Sequence, residues 1–295
     1  KAYNEEIENE MVAINQRLLL KRGERIRPGL DDKSLTTWNA LMLKGYLDAY
    51  SAFGEELFLK AALKNGKWLL KKQTKKDGGL YHTYKKGESK IDGFLDDYAF
   101  TIDAYISLYE ATFNEVWLSE AKSLAEYTIT HFYDEKSGMF YYTAKNDNAL
   151  VARKMEVNDN VIPASNSEMA NALFKLGTML DDKTYISKSK QMLANVYDEM
   201  DTYPAGYSNW ATLALNMTKP YYEVAITGAE WEDKKNELET YYIPNKLLMG
   251  GDKSELTLLE GKFLDGTTIF ICQHGACLMP VYEVENAVLQ LAGEK

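Results

Sequence analysis

WLSEA, residues 117–121, decides how the chain is read, because it is the second of three copies. FLKAA (58–62) and YISKS (185–189) repeat its order of an aromatic, an aliphatic, two mostly polar residues and a small one. The first two copies lie 59 residues apart, and the Gly-aromatic stretches GGLYHT (78–83) and SGMFYYT (137–143) recur at the same spacing. Around these motifs apolar residues follow a helical period. It predicts helices over 34–53, 55–72, 96–113, 115–133, 166–180 and 183–200. Trp38, Leu41, Met42, Tyr46, Ala49 and Phe53 form the apolar face of the first. An earlier helix over 4–21 rests on Ile7, Met11, Ile14 and Leu18.

Each unit reads as helix, tight turn, helix, Gly-aromatic loop. Such a unit exceeds the common solenoid repeats and suits the hairpins of an α/α toroid, whose inner helices ring an axis beneath outer ones. Three hairpins are clear, with half a unit before and another after. The expected class is mainly α, a partial, six-hairpin glycosidase-like toroid. After Pro220 the pattern changes. YEVAITG (222–228), NKLLMGG and TTIFICQ are strand-like, EWEDKKNELETYY is a charged helix, and MPVYEVENAVLQLA is a last helix with Pro280 in its first turn. The expected domains are the hairpins, 1–218, and a small α/β unit, 219–295.

At 45% apolar and 26% charged, the 295 residues have ordinary globular composition. A net charge of -10 argues against nucleic acid and anionic membranes. No run approaches the length of a membrane helix. The TGAE turn lacks a dinucleotide glycine pattern, and the three histidines show no zinc-hydrolase spacing, so neither cofactor nor metal is expected.

The three inner helices begin alike. Asp31, Asp32, Lys33 and Ser34 precede the first, GFLDDYAF carries Asp96, Asp97 and Tyr98 into the second, and PASNSEMA brings Ser165, Asn166 and Ser167 to the third. In a toroid these positions share one mouth. One reading makes them helix caps, since Ser, Asp and Asn oxygens accept orphan helix N–H groups. Caps leave carboxylates over, and a polar mouth suits a carbohydrate. In that reading Asp31, Asp32, Asp96 and Asp97 supply acid/base groups. Lys33, Trp38, Asn39, Tyr98, Ser165, Asn166 and Ser167 position the substrate. Trp38, Tyr98 and Trp210 either stack on sugar faces or fill the core. In FICQHGACLMP, Cys272 ends a strand and Cys277 precedes a helix. The two are read as buried, inert thiols, with a redox pair as the alternative.

RPGLDDKSLTTWNAL, GFLDDYAF, PASNSEMANALFKL and FICQHGACLMP together resemble the YyaL family, the bacterial counterpart of spermatogenesis-associated protein 20. The resemblance covers nearly the whole chain. It implies a toroid similar to those of N-acylglucosamine 2-epimerases and glycosidases, preceded by a thioredoxin-like domain. A chain starting at Lys1 would be the C-terminal part. The third motif departs from the family's usual Pro-Ser-Gly-Asn-Ser at Ala164 and Ser165. The implied partners are a carbohydrate, or a thioredoxin-like domain of the same or another chain for which the toroid is a non-catalytic docking module. The expected location is the cytoplasm.

Overall fold

The computed structural model describes residues 4–145 and 152–293, in two compact units, Lys1–Lys33 and Ser34–Lys295. The first carries α1 (Glu5–Gly23). The Asn4 side chain caps it, and acidic Glu5, Glu6 and Glu8 against basic Lys21 and Arg22 complement its dipole. No residue of α1 is buried, so the predicted stripe of Ile7, Met11 and Leu18 faces solvent.

The second unit carries the hairpins: α2 (Thr36–Phe53) with α3 (Glu56–Trp68), α4 (Leu95–Thr112) with α5 (Glu115–Phe132), and α6 (Ser165–Met179) with α7 (Lys183–Met200). A single helix, α8 (Ser208–Thr218), follows. Helix α4 is buried on nearly every side from Leu95 to Tyr109, as an inner helix must be. Helices α3, α5 and α7 bury one face each. The repeated motif now has a physical reason. Its last small residues, Ala62, Ala121 and Ser189, are wholly buried. Ser189 donates to the Ala170 carbonyl of α6 at 2.6 Å, so outer and inner backbones cross closely there. One turn after Ala62, a Cβ at Gly66 would stand 2.7 Å from Leu108 Cδ1.

The buried face of α2 differs from the predicted one. Ala40, Leu43, Leu47 and Tyr50 are buried, whereas Trp38, Met42 and Phe53 are more than half exposed. Two apolar stripes compete on an inner helix, and packing with α3 and α4 selects one of them.

The Gly-aromatic loops are straps. After the first, β2 (Tyr81–Lys85) pairs with β1 (Ser34–Leu35) and β3 (Glu88–Asp92). The Leu80 amide donates to Tyr98 Oη at 2.8 Å, tying the strap to α4. After the second, β5 (Met139–Phe140) pairs with β4 (Tyr133–Asp134), Tyr142 receives the Leu95 amide of α4, and Phe140 bonds Asn166 of α6.

The C-terminal strands form a sheet ordered β7-β6-β8-β9, from β6 (Tyr222–Thr227), β7 (Lys246–Gly251), β8 (Thr268–Gln273) and β9 (Ala276–Cys277). Parallel β6 and β7 are joined through α9 (Trp231–Glu239). Gly250 has φ +153°, and a Cβ there would lie 1.8 Å from the Ile226 carbonyl, so only glycine fits. The last helix, α10, spans Val284–Ala292, leaving Pro280 outside it, contrary to expectation. Val281 instead pairs with Ile269 of β8, so the chain is still extended there. No helix among the described residues is long and apolar enough to cross a membrane.

Candidate functional site

The starts of the inner helices are clasped by buried carboxylates. Asp97 has no exposed surface. It accepts from the Thr37 amide (3.0 Å) and Thr37 Oγ1 (2.6 Å) of α2, from the Phe94 amide (2.9 Å) ahead of α4, and meets His82 Nδ1 at 2.8 Å. Asp159 does the same for the next pair. It accepts from the Ala164 amide (2.9 Å) and Ser167 Oγ (2.5 Å) of α6 and from the Asn209 amide (2.8 Å) of α8. Both carboxylates thus cap two helices at once.

Asp96 sits beside Asp97 with different surroundings. Its carboxylate accepts the Asp97 amide at 2.9 Å and bonds the Tyr142 hydroxyl. Burial, then the Asp97 charge, pushes its pKa up to about 6. The rings of His82 and Phe94 meet edge-on at 4.9 Å, and Phe94 stacks on Tyr142 at 5.2 Å. The His82 side chain keeps 19% exposure, so this aromatic rim reaches solvent.

Below the rim runs an axial cavity of about 420 Å³. Asp96, Phe100, Asp103, Ser107 and Glu110 recur on α4 at steps of four and three, which places them on one helix face. Phe100, Asp103 and Glu110 line the cavity, as do Glu168, Asn171 and Lys175 of α6 and Lys44 of α2. Lys175 Nζ lies 2.6 Å from Asp103. Burial would raise the Asp103 pKa, but the Lys175 and Lys44 ammonium groups outweigh it and hold the carboxyl below its usual range. Glu168 hydrogen-bonds Asp103 and receives Asn209 Nδ2 at 3.2 Å. Burial, then the Asp103 charge, pushes Glu168 up to about 8. The site therefore pairs an ionised carboxylate with a carboxyl that keeps its proton at neutral pH.

This has a measurable consequence. The Glu168 pKa is raised on folding, so its stabilising contribution is complete below about pH 4.5 and is lost as pH rises through about 8. Glu168→Gln removes that loss. Between pH 5 and 8 the variant's unfolding free energy should gain on the parent's by about 1 kcal/mol per pH unit. Parallel denaturant titrations across that range check the slope, and a constant difference would contradict it.

The other predicted residues fall as follows. Asp31, Asp32 and Lys33 belong to the N-terminal unit, where Lys33 Nζ pairs with Asp31 at 3.1 Å. Asn39 Nδ2 donates to the Leu35 carbonyl at 2.7 Å, holding the start of α2. Trp38 is exposed. Tyr98 is buried, stacked on Tyr127 at 5.5 Å. Ser165, Asn166 and Ser167 are wholly buried. Asn166 bonds the Phe140 amide and carbonyl, each at 2.9 Å, and Ser165 takes the Glu156 carboxylate on its amide at 3.0 Å. The structure thus brings Asp96, Asp97 and Tyr98 together with His82. The sequence reading placed His82 only in a loop, and it missed Asp103, Asp159, Glu168 and Lys175. The polar stripe at helical spacing within apolar α4 and α6 was the available signal; Asp159, in a loop, had none.

Cys272 and Cys277 are not inert thiols. They face each other across the β8–β9 hairpin as a disulfide, with Cys272 buried and Cys277 exposed. Cys277 lies in a strand rather than before a helix, so no helix dipole acts on it.

The comparisons agree with this architecture. Rat spermatogenesis-associated protein 20 is 27% identical over 95% of the chain, and the human protein 26% over 90%. Homologues of that name thus span nearly the whole chain. The chain in turn covers 37–39% of their length. A solved GH76 α-mannanase from Bacteroides thetaiotaomicron superposes with TM-score 0.52 at 15% identity, over 79% of this chain and 65% of that one. A cellobiose 2-epimerase from Bacillus thermoamylovorans follows at TM-score 0.48 and 18% identity, over 56% of this chain and 44% of that one. No family model matches. The fold is the glycosidase-like α/α toroid, here with a small sheet unit.

Proposed function

We propose that the axial cavity and the rim at the start of α4 together bind a carbohydrate and perform acid/base chemistry on it, with Glu168 of the cavity wall as the acid and Asp96 of the rim as the base. One observation carries this reading. Two carboxyls on neighbouring inner helices have pKa values pushed to different heights, about 6 for Asp96 and about 8 for Glu168. Near pH 7 the first is mostly ionised and the second mostly protonated, the division of labour that proton transfer at a sugar oxygen or carbon requires. Asp97 acts as a positioning residue, orienting His82 and locking the start of α4. The aromatic rim of Phe94 and Tyr142 offers a face for a sugar ring, and the cavity volume suits a small saccharide. Asp31, Asp32 and Lys33 stay candidates on their motif alone.

The test is a thermal-shift screen against mono- and disaccharides, uronic acids and N-acetylated sugars, followed by a turnover assay. A sugar at 100 times its Kd should add about 2.7 kcal/mol. Turnover should rise with pH through about 6 and fall through about 8, as Asp96 and then Glu168 lose their protons. Asp96→Asn should remove the rising limb and Glu168→Gln the falling one, both with large losses of rate. A screen in which no sugar stabilises the protein would sink the proposal.

A further inference from the structure

Lys246 opens β7 and lies where two cavities meet. With Glu110 and Pro244 it lines both the axial cavity and a second one, of about 480 Å³, under the C-terminal ends of α2 and α4. Neighbouring lysines each hold a carboxylate: Lys175 with Asp103 at 2.6 Å, Lys44 with Asp48 at 2.9 Å, Lys235 with Glu239 at 3.2 Å. Lys246 differs. Among the described residues its Nζ donates to the Ile243 carbonyl at 3.2 Å and has no carboxylate within 4.0 Å. Burial outweighs the more distant charges of Glu239 and Glu110, so this amine holds its proton less tightly than an ordinary lysine. Glu110 shows the converse. Its carboxylate receives the Leu248 amide at 3.0 Å, and burial makes it hold its proton more tightly than an ordinary glutamate. A desolvated amine beside a proton donor is the arrangement that lets lysine attack a carbonyl carbon.

We infer that Lys246 forms a Schiff base with an aldehyde or ketone reaching the cavity floor, such as the open-chain form of a sugar, and that Glu110 supplies the proton. The neutral amine adds to the carbonyl carbon, and the nitrogen and oxygen exchange a proton to give a carbinolamine. The Glu110 carboxyl then protonates the hydroxyl, the C–O bond breaks, and water leaves. The products are a protonated imine on Lys246, one water and the Glu110 carboxylate, so atoms and charge balance without an oxidant or reductant. Taking a sugar as the carbonyl source rests on the function proposed above; the amine chemistry does not.

The experiment traps the imine. The intact protein is incubated at pH 8 with glycolaldehyde or with an aldose, reduced with sodium cyanoborohydride and mapped by peptide mass spectrometry. Lys246 should carry clearly more label than Lys44 or Lys175 of the same cavity, because burial makes its amine give up a proton more readily while neighbouring carboxylates hold theirs protonated. Lys246→Arg should lose that labelled site and keep the background on exposed lysines such as Lys64. Strong labelling of Lys246 by glycolaldehyde, with no sugar stabilising the protein, would uphold the amine and remove the sugar. Stabilisation by a sugar without excess label at Lys246 would overturn the inference and leave the carbohydrate reading intact.

Discussion

Asp97→Ala is expected to destabilise the protein by about 3–5 kcal/mol, the cost of removing one partner from a buried charged network. Four donors lose their acceptor together: the Thr37 amide and hydroxyl, the Phe94 amide and the His82 ring. Three of these stand at the starts of two inner helices, Thr37 on α2 and Phe94 just ahead of α4, so the loss is felt on both sides of the α2–α4 contact. Asp97→Asn should cost less, because its carbonyl oxygen still accepts from Thr37 while its amide group confronts the donors at Phe94 and His82. Guanidinium unfolding of both variants ranks them. Equal stability of Asp97→Ala and the parent would remove Asp97 from its clasping role.

Lys175→Met should be comparably severe, at about 3–5 kcal/mol, because it leaves Asp103 buried without its closest counter-charge. Helix propensity is not the cause, since Met and Lys are similar helix formers. The pH dependence separates charge from packing. In the parent, the depressed Asp103 pKa gives stability that is present above about pH 3.8 and lost as pH falls through the native value. Without Lys175, burial dominates and raises that pKa, so the sign reverses and the variant's deficit should shrink toward pH 4. Adding Asp103→Asn should recover much of the loss at neutral pH. A deficit constant between pH 4 and 7, unrelieved in the double variant, would assign the effect to packing.

The helices were legible because their periodicity is local. The offset of 59 residues between repeat copies exposed the hairpins, and the small residues Ala62, Ala121 and Ser189 mark where outer helices cross inner ones. The strands around YEVAITG, NKLLMGG and TTIFICQ were equally legible as short apolar runs, the first and last of them with β-branched residues. Chemistry at the helix starts was only half legible. Capping and binding use the same residue types, and sequence cannot tell whether an oxygen is already taken. Asp96 and Asp97 are adjacent in the chain, yet Asp97 meets four donors while Asp96 bonds its neighbour's amide and a tyrosine at the rim.

By itself the sequence determined the helical repeat, the change to strands after Pro220 and the polar character of the inner-helix starts, because each is written in spacings of a few residues. Tertiary structure decided which stripe of α2 is buried, that Cys272 and Cys277 meet across a hairpin, and that Asp103, Glu168 and Lys175 share one cavity. Those outcomes depend on residues brought together from distant segments. The proton affinities depend on them further, because burial and the charges of neighbouring helices set whether a carboxyl holds its proton at neutral pH.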